Sequence, residues 1–413
     1  MDPLIVENQP QPPQQQQETF PPSPPPESSS PLEQYSEEIK NGNAEVLEEE
    51  PRNLLLSVLS EIKIGMDLST VPLPTFILES RSLLEKFTDF MVHCDQLHNV
   101  HTLIDPMDRM LAVSKWYLSG FSYTPKGVKK PYNPILGEIF RAKWQYHDTT
   151  TQLIAEQVCH HPPISCIYIS NRKDGYVVTG TISPRGSYQI TSLVVHVEGT
   201  ITLRFIETNE EYTFNFPSIY ARGILFGTLM TEIAGKTSIN CSSTNLRADF
   251  DFKTKPLFGG DYNEVSGKIK KKGETLYNIS GKWDNRLDIT SAVQKKSSSP
   301  KNAQVLWDCK NAKKTPKFIK PIPEQAENES QRLWQFVSNA ITKRDQKEAT
   351  AEKIKLENVQ RQGVKKRKEK NIEWQPKHFI KVNDQWVYKN SNFTPYNPNE
   401  PPEIFNIDEE SNN

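Results

Sequence analysis

Between about residues 138 and 290 the chain alternates. "YVVTGTI", "SLVVHVEGTITLRFI", "EYTFNF", "GTLMTEIAG", "LRADFDF", "EVSGKIK" and "TLYNISGKW" are short β-branched or aromatic runs of period two, separated by Gly, Asn, Asp and Pro. Such spacing makes an antiparallel meander. A meander of this many strands must close into a barrel or stack, because open strand edges pair with other chains. The expected fold is therefore α+β, with antiparallel strands over about 130–290 closed into a barrel or stacked, and flanking helices.

The flanks read differently. "NLLLSVLSEIKIG" has apolar residues at helical spacing, with Gly65 as a stop. In "DLSTVPLPTFIL", Pro72 and Pro74 force an extended entry to a helix starting near Ser80 or Ser82. "PMDRMLAVSKWYLSGF" predicts a second helix ending at Gly120. Residues 324–370 predict charged helices, with Leu333, Phe336, Val337, Ala340 and Ile341 as their apolar stripe. Residues 1–50, rich in Pro, Gln, Ser and Glu, offer too little apolar surface to offset ordering and are expected to be disordered. One domain over 51–395 and a flexible tail over 396–413 complete the division.

Several classes are excluded. A net charge of −1 gives no global field for nucleic acid. No apolar run reaches about eighteen residues, and the N-terminus lacks the order of a signal peptide. Five scattered cysteines without metal spacing fit a reduced, cytosolic compartment and no bound metal. There is no G-x-S-x-G turn, phosphate loop or H-E-x-x-H, so the chain lacks an enzyme's nucleophile and calls for no cofactor.

Three stretches carry chemistry. In "EQVCHHPPIS" (156–165), His160 and His161 precede two prolines that remove ladder donors and end the strand, which places the rings at a rim. Neighbouring strand side chains otherwise point to opposite faces. "PKGVKKPYNPILGE" (125–138) holds Lys130, Asn133 and Glu138 in a proline-stiffened basic loop that loses little entropy on meeting a phosphate. Lys353, Glu357 and Arg361 fall at i, i+4 and i+8, on one helical face. His93, His98 and His101 match no ligand pattern and are expected on a helix surface.

"EQVCHHPPIS", "KKPYNPILGE" and "WYLSGF" closely resemble the oxysterol-binding-protein-related family of lipid carriers, from about Leu54 to beyond Trp374. "GMDLSTVPLPTFILE", "ISNRKDG" and "RLWQFVSNAITKRDQ" are most similar to its phosphatidylserine/phosphatidylinositol 4-phosphate exchangers. The resemblance implies a barrel around a lipid tunnel, a lid over about 62–78, and a monomer that touches membranes transiently. It assigns Lys130, Asn133, Glu138, His160, His161, Lys353, Glu357 and Arg361 to the lipid headgroup. Leu68, Leu73 and Ile77 go to the lid over the acyl chains. The implied cargo is phosphatidylinositol 4-phosphate alternating with phosphatidylserine or a sterol; the alternative is a lipid-gated scaffold without net transport. Where phosphatidylserine carriers tend to have a serine, this chain has Gly186, next to Ser187.

A tunnel has a physical reason. A diacyl lipid leaving a bilayer exposes on the order of thirty methylenes at about 0.8 kcal/mol each, more than headgroup contacts return. Both chains must be reburied in an apolar interior.

Overall fold

The computed structural model describes residues 75–400 except 125–126, 190, 225–228, 257–258, 293–302 and the side chain of Phe76. Strand β1 (Leu78–Ser82) pairs in parallel with β2 (Lys130–Tyr132). The meander follows as β3 (Ile139–Tyr146), β4 (Thr149–Cys159), β5 (Ile164–Asn171), β6 (Tyr176–Gln189), β7 (Ser192–Glu198) and β8 (Ile201–Phe205). It continues through β9 (Glu210–Phe214), β10 (Ser218–Arg222), β11 (Met230–Cys241), β12 (Leu246–Lys253) and β13 (Glu264–Lys271). Then come β14 (Glu274–Lys282), β15 (Arg286–Ser291), β16 (Gln304–Asp308) and β17 (Lys317–Phe318). Among the described residues β3 to β17 form one 15-stranded sheet with antiparallel pairing. A separate hairpin, β18 (Phe379–Val382) with β19 (Gln385–Tyr388), lies near the C-terminus.

The sheet forks at β6. Its first half, Tyr176–Gly180, pairs with β8, and its second half, Ser183–Gln189, pairs with β7. The branches rejoin on β11 through β9 and β10. Gly199 sits at the fork with φ +130°, where a Cβ would fall 2.0 Å from the Thr181 carbonyl oxygen, so only glycine fits.

Among the described residues there are five α-helical segments: α1 (Leu83–Lys86), α2 (Pro106–Ser119), α3 (Ser330–Leu333), α4 (Gln335–Thr342) and α5 (Gln346–Glu369). The helix expected over "PMDRMLAVSKWYLSGF" is α2; Asp105 caps it, accepting from the Met107 N–H at 2.9 Å, and Pro106 opens it. Helix α2 is buried on several sides: Met110, Val113, Trp116, Tyr117 and Leu118 are inaccessible. Phe140 and Trp144 of β3, Phe250 and Phe252 of β12 and Trp307 of β16 share its core. Residues from both ends of the strand path thus meet one helix, and the sheet curls around it as the barrel-like fold requires.

The helix expected from Ser82 is broken. Ser82 does cap α1, but the helix lasts four residues before a chain of 3₁₀ turns (Phe87–Met91, Cys94–Leu97, Val100–Thr102). Asn99, at φ 57°, cannot continue a right-handed helix. His93 consequently packs inside, 4.7 Å from the Trp307 ring centroid, and is not on a helix surface. Likewise Phe336 is half exposed, whereas Leu333, Val337 and Ala340 are buried. The helical phase resets at Trp334, between α3 and α4, and turns Phe336 outward. All five cysteines are free thiols.

Candidate functional site

His160, His161, Pro162 and Pro163 form the turn between β4 and β5, where Cys159 pairs with Ile164. Gln157 ties the stem of this turn: its Nε2 donates to the Cys159 carbonyl at 2.7 Å, and its Oε1 accepts from Ser165 Oγ at 2.5 Å. The two imidazole centroids lie 4.5 Å apart at 63°. His160 is half buried and His161 exposed. Burial and the neighbouring imidazole push the His160 pKa down, opposed by the Pro134 carbonyl and the Glu357 carboxylate, and its buried Nδ1 has no hydrogen-bond partner.

Lys130 lies on β2. Its Nζ donates to Asn133 Oδ1 at 2.6 Å, and no carboxylate among the described residues lies within ion-pair distance. Burial and the Lys353 ammonium lower its pKa to about 8. Helix α5 completes the ring. Glu357 pairs with Lys353 at 3.0 Å and with Arg361 at 3.3 Å, and Arg361 also reaches Asn358 at 3.0 Å. Seven of the eight headgroup candidates therefore come together from the 130–134 loop, the His160 turn and α5. Lys353 lowers the Lys130 pKa and His161 that of His160, and cations crowded in this way make a candidate cradle for an anion.

The structure does not bring Glu138 into that cradle. Glu138 is fully buried, and its carboxyl accepts from Ser82 Oγ, from Ser330 Oγ at 2.7 Å, from Trp334 Nε1 at 2.9 Å and from the Ile135 N–H at 3.0 Å. With four donors already engaged it ties β1, α3 and the 133–138 loop together and positions Lys130 and Asn133. Burial nevertheless raises its pKa. Of the lid candidates, Leu68 and Leu73 lie outside the described residues. Ile77 is buried just after Thr75, which donates to Gln346 Oε1 at 2.6 Å. The segment leading into β1 is thus fastened to the helix that carries Lys353.

Other residues escape sequence reasoning. Glu156, buried on β4, accepts from the Lys377 and His378 N–H groups at 2.7 and 2.8 Å and holds the C-terminal segment beside the turn. Trp374 packs on Gly137, whose φ is +83° and whose Cβ would come 2.6 Å from the indole. The available signal was in the motif itself: two adjacent polar residues, Glu156 and Gln157, inside a strand apolar on both faces.

A partly covered apolar stretch lies where β6 meets β7. Ser165 pairs with Ile182, so β6 runs beyond the level of the His160 turn before meeting β7. There Val195 stands opposite Gly186 and Ile219, and Val197, two residues along on the same face, packs on the central core. Leu193, Val195 and Val197 are only partly covered, and Ile219 is 38% exposed. Ser187 pairs with Val194, on the opposite face, and does not replace a side chain missing at Gly186.

Residues 55–397 match the oxysterol-binding protein family model. Oxysterol-binding protein 4 of Dictyostelium discoideum is 57% identical over 365 residues, 87% of this chain and 78% of that protein. Human oxysterol-binding protein-related protein 5 is 40% identical over 381 residues, 89% of this chain but only 42% of the longer relative. The Osh1 ORD domain solved with ergosterol superposes with a TM-score of 0.69 at 24% identity, covering 81% of this chain and 86% of that one. The Saccharomyces cerevisiae Osh3 ORD solved with PI(4)P gives 0.63 at 21% identity, covering 82% and 91%. No described helix is long and apolar enough to cross a membrane. The chain belongs to the oxysterol-binding protein family.

Proposed function

We propose that the protein carries phosphatidylinositol 4-phosphate by its headgroup and alternates it with a second lipid, phosphatidylserine or a sterol, between membranes it visits from the cytosol. The observation that carries this reading is the gathering of Lys130, His160, His161, Lys353 and Arg361 from three separate segments, in a sheet that also leaves an apolar stretch of β7 and β10 half covered. Lys130 has no carboxylate partner among the described residues, and Lys353 and Arg361 share the single carboxylate of Glu357, which leaves cationic donors for a phosphate. Leu193, Val195, Val197 and Ile219 offer apolar surface to acyl chains or a sterol body. Glu138 contributes by fixing the loop, and Leu68, Leu73 and Ile77 belong to the cover. The PI(4)P and sterol complexes of the two related folds support both kinds of cargo.

The test is extraction from liposomes. Replacing His160 and His161 together by alanine should abolish phosphatidylinositol 4-phosphate extraction while circular dichroism and thermal melting stay unchanged, since charge-assisted bonds to phosphate contribute about 1.5–3 kcal/mol each. Wild-type extraction by the folded double variant would overturn the assignment.

A further inference from the structure

Helix α5 continues past the headgroup cradle into a run of cations. Lys353, Glu357 and Arg361 recur every fourth residue, and the next position on that face is Lys365, about 6 Å further along the axis. Lys365, Lys366, Arg367, Lys368 and Lys370 surround one acid, Glu369, in a chain whose net charge is only −1. Lys365, Lys366, Lys368 and Lys370 are exposed. Apart from Lys365, 3.9 Å from Glu369, none of these four has an acidic partner among the described residues. The helix dipole favours a cation or two in the last turn but does not account for five. Arg367 lies 5.1 Å from the Trp374 ring, and Trp374 packs on Gly137, so the run sits against the 133–138 loop of the cradle. Ile372, 55% exposed, follows directly.

We infer that the end of α5, Lys365 to Lys370 with Ile372, is a docking surface for the anionic face of a bilayer. Docked there, the cradle meets lipid phosphates without the protein leaving the membrane. The choice of a membrane over another polyanion comes from continuity: the cationic run follows the headgroup residues on the same helix, with Lys365 next in their four-residue series, and an exposed isoleucine borders the run. This orientation rests on the lipid-carrier reading, but docking and extraction are measured separately.

Flotation with vesicles of phosphatidylcholine alone, or with about a third phosphatidylglycerol and no phosphoinositide, tests the inference. The wild-type chain should float with the anionic vesicles only and detach at high salt. The variant K365Q/K366Q/K368Q/K370Q should lose on the order of 100-fold or more in partitioning, since each cation near an anionic surface is worth about fivefold. Its affinity for a soluble short-chain phosphoinositide should be unchanged, and the corresponding four Lys→Arg changes should keep flotation. Flotation by a wild-type chain that fails to extract phosphoinositide would uphold docking and remove the carrier reading. Equal flotation of the Gln variant, indifference of the wild type to vesicle charge, or binding to duplex DNA in place of vesicles would overturn the inference.

Discussion

Under the proposed headgroup assignment, the Lys130 ammonium should make binding depend on pH in a defined window. Burial and the neighbouring Lys353 lower its pKa to about 8, so the unliganded side chain is charged below that value and neutral above it. A bound phosphate supplies the missing counter-charge and raises the pKa again. Binding above pH 8 must therefore take up a proton, and affinity is full below about pH 8 and lost progressively as pH rises. About ten in eleven sites are charged at pH 7 and about one in eleven at pH 9, which amounts to roughly tenfold weaker binding. The phosphomonoester, with a second pKa of about 6, stays dianionic throughout and adds nothing to the change. Calorimetry with a soluble short-chain phosphatidylinositol 4-phosphate at the two pH values measures it, and proton uptake appears as a buffer-dependent enthalpy at pH 9. Lys130→Arg, whose guanidinium stays charged, should abolish the dependence. A flat wild-type profile, or the same slope in Lys130→Arg, would refute the argument.

Three further expectations follow from named contacts. Glu138→Gln should cost about 2–4 kcal/mol in urea unfolding, because an amide NH₂ would confront donors from Ser82, Ser330, Trp334 or Ile135; a loss under about 0.5 kcal/mol would show that these bonds do not matter. Gly137→Ala should destabilise by about 1–3 kcal/mol and weaken headgroup binding, since it combines a φ of +83° with a Cβ 2.6 Å from Trp374; an unchanged melting temperature would contradict both. Gly186→Ser places a hydroxyl on the face shared with Val195 and Ile219 and should raise phosphatidylserine transfer severalfold without altering phosphoinositide transfer. Robust sterol transfer with no phosphatidylserine transfer in either protein would favour the sterol as second cargo.

Much of this molecule is legible in local sequence because local sterics write it. Period-two runs become strands wherever one face is buried, and Asp105-Pro106 starts α2 because a cap and a fixed φ need no tertiary partner. The His160 turn was readable for the same reason, since two prolines cannot continue a ladder. What lies beyond local reach depends on which distant groups share a cavity. Glu138 belongs to the same short loop as Lys130 and Asn133, yet only the arrival of Ser330 and Trp334, nearly two hundred residues later, turns its carboxylate inward. Phe336 looked like core by spacing, but the break at Trp334 rotated it outward. The pairing of Glu156 with the Lys377 and His378 backbone, and the approach of Lys353 to Lys130, likewise come from how the sheet curls around α2. Spacing along a chain sets which side chains share a face; only the closed fold decides what that face meets, because burial and charge are properties of neighbours that the local sequence does not contain.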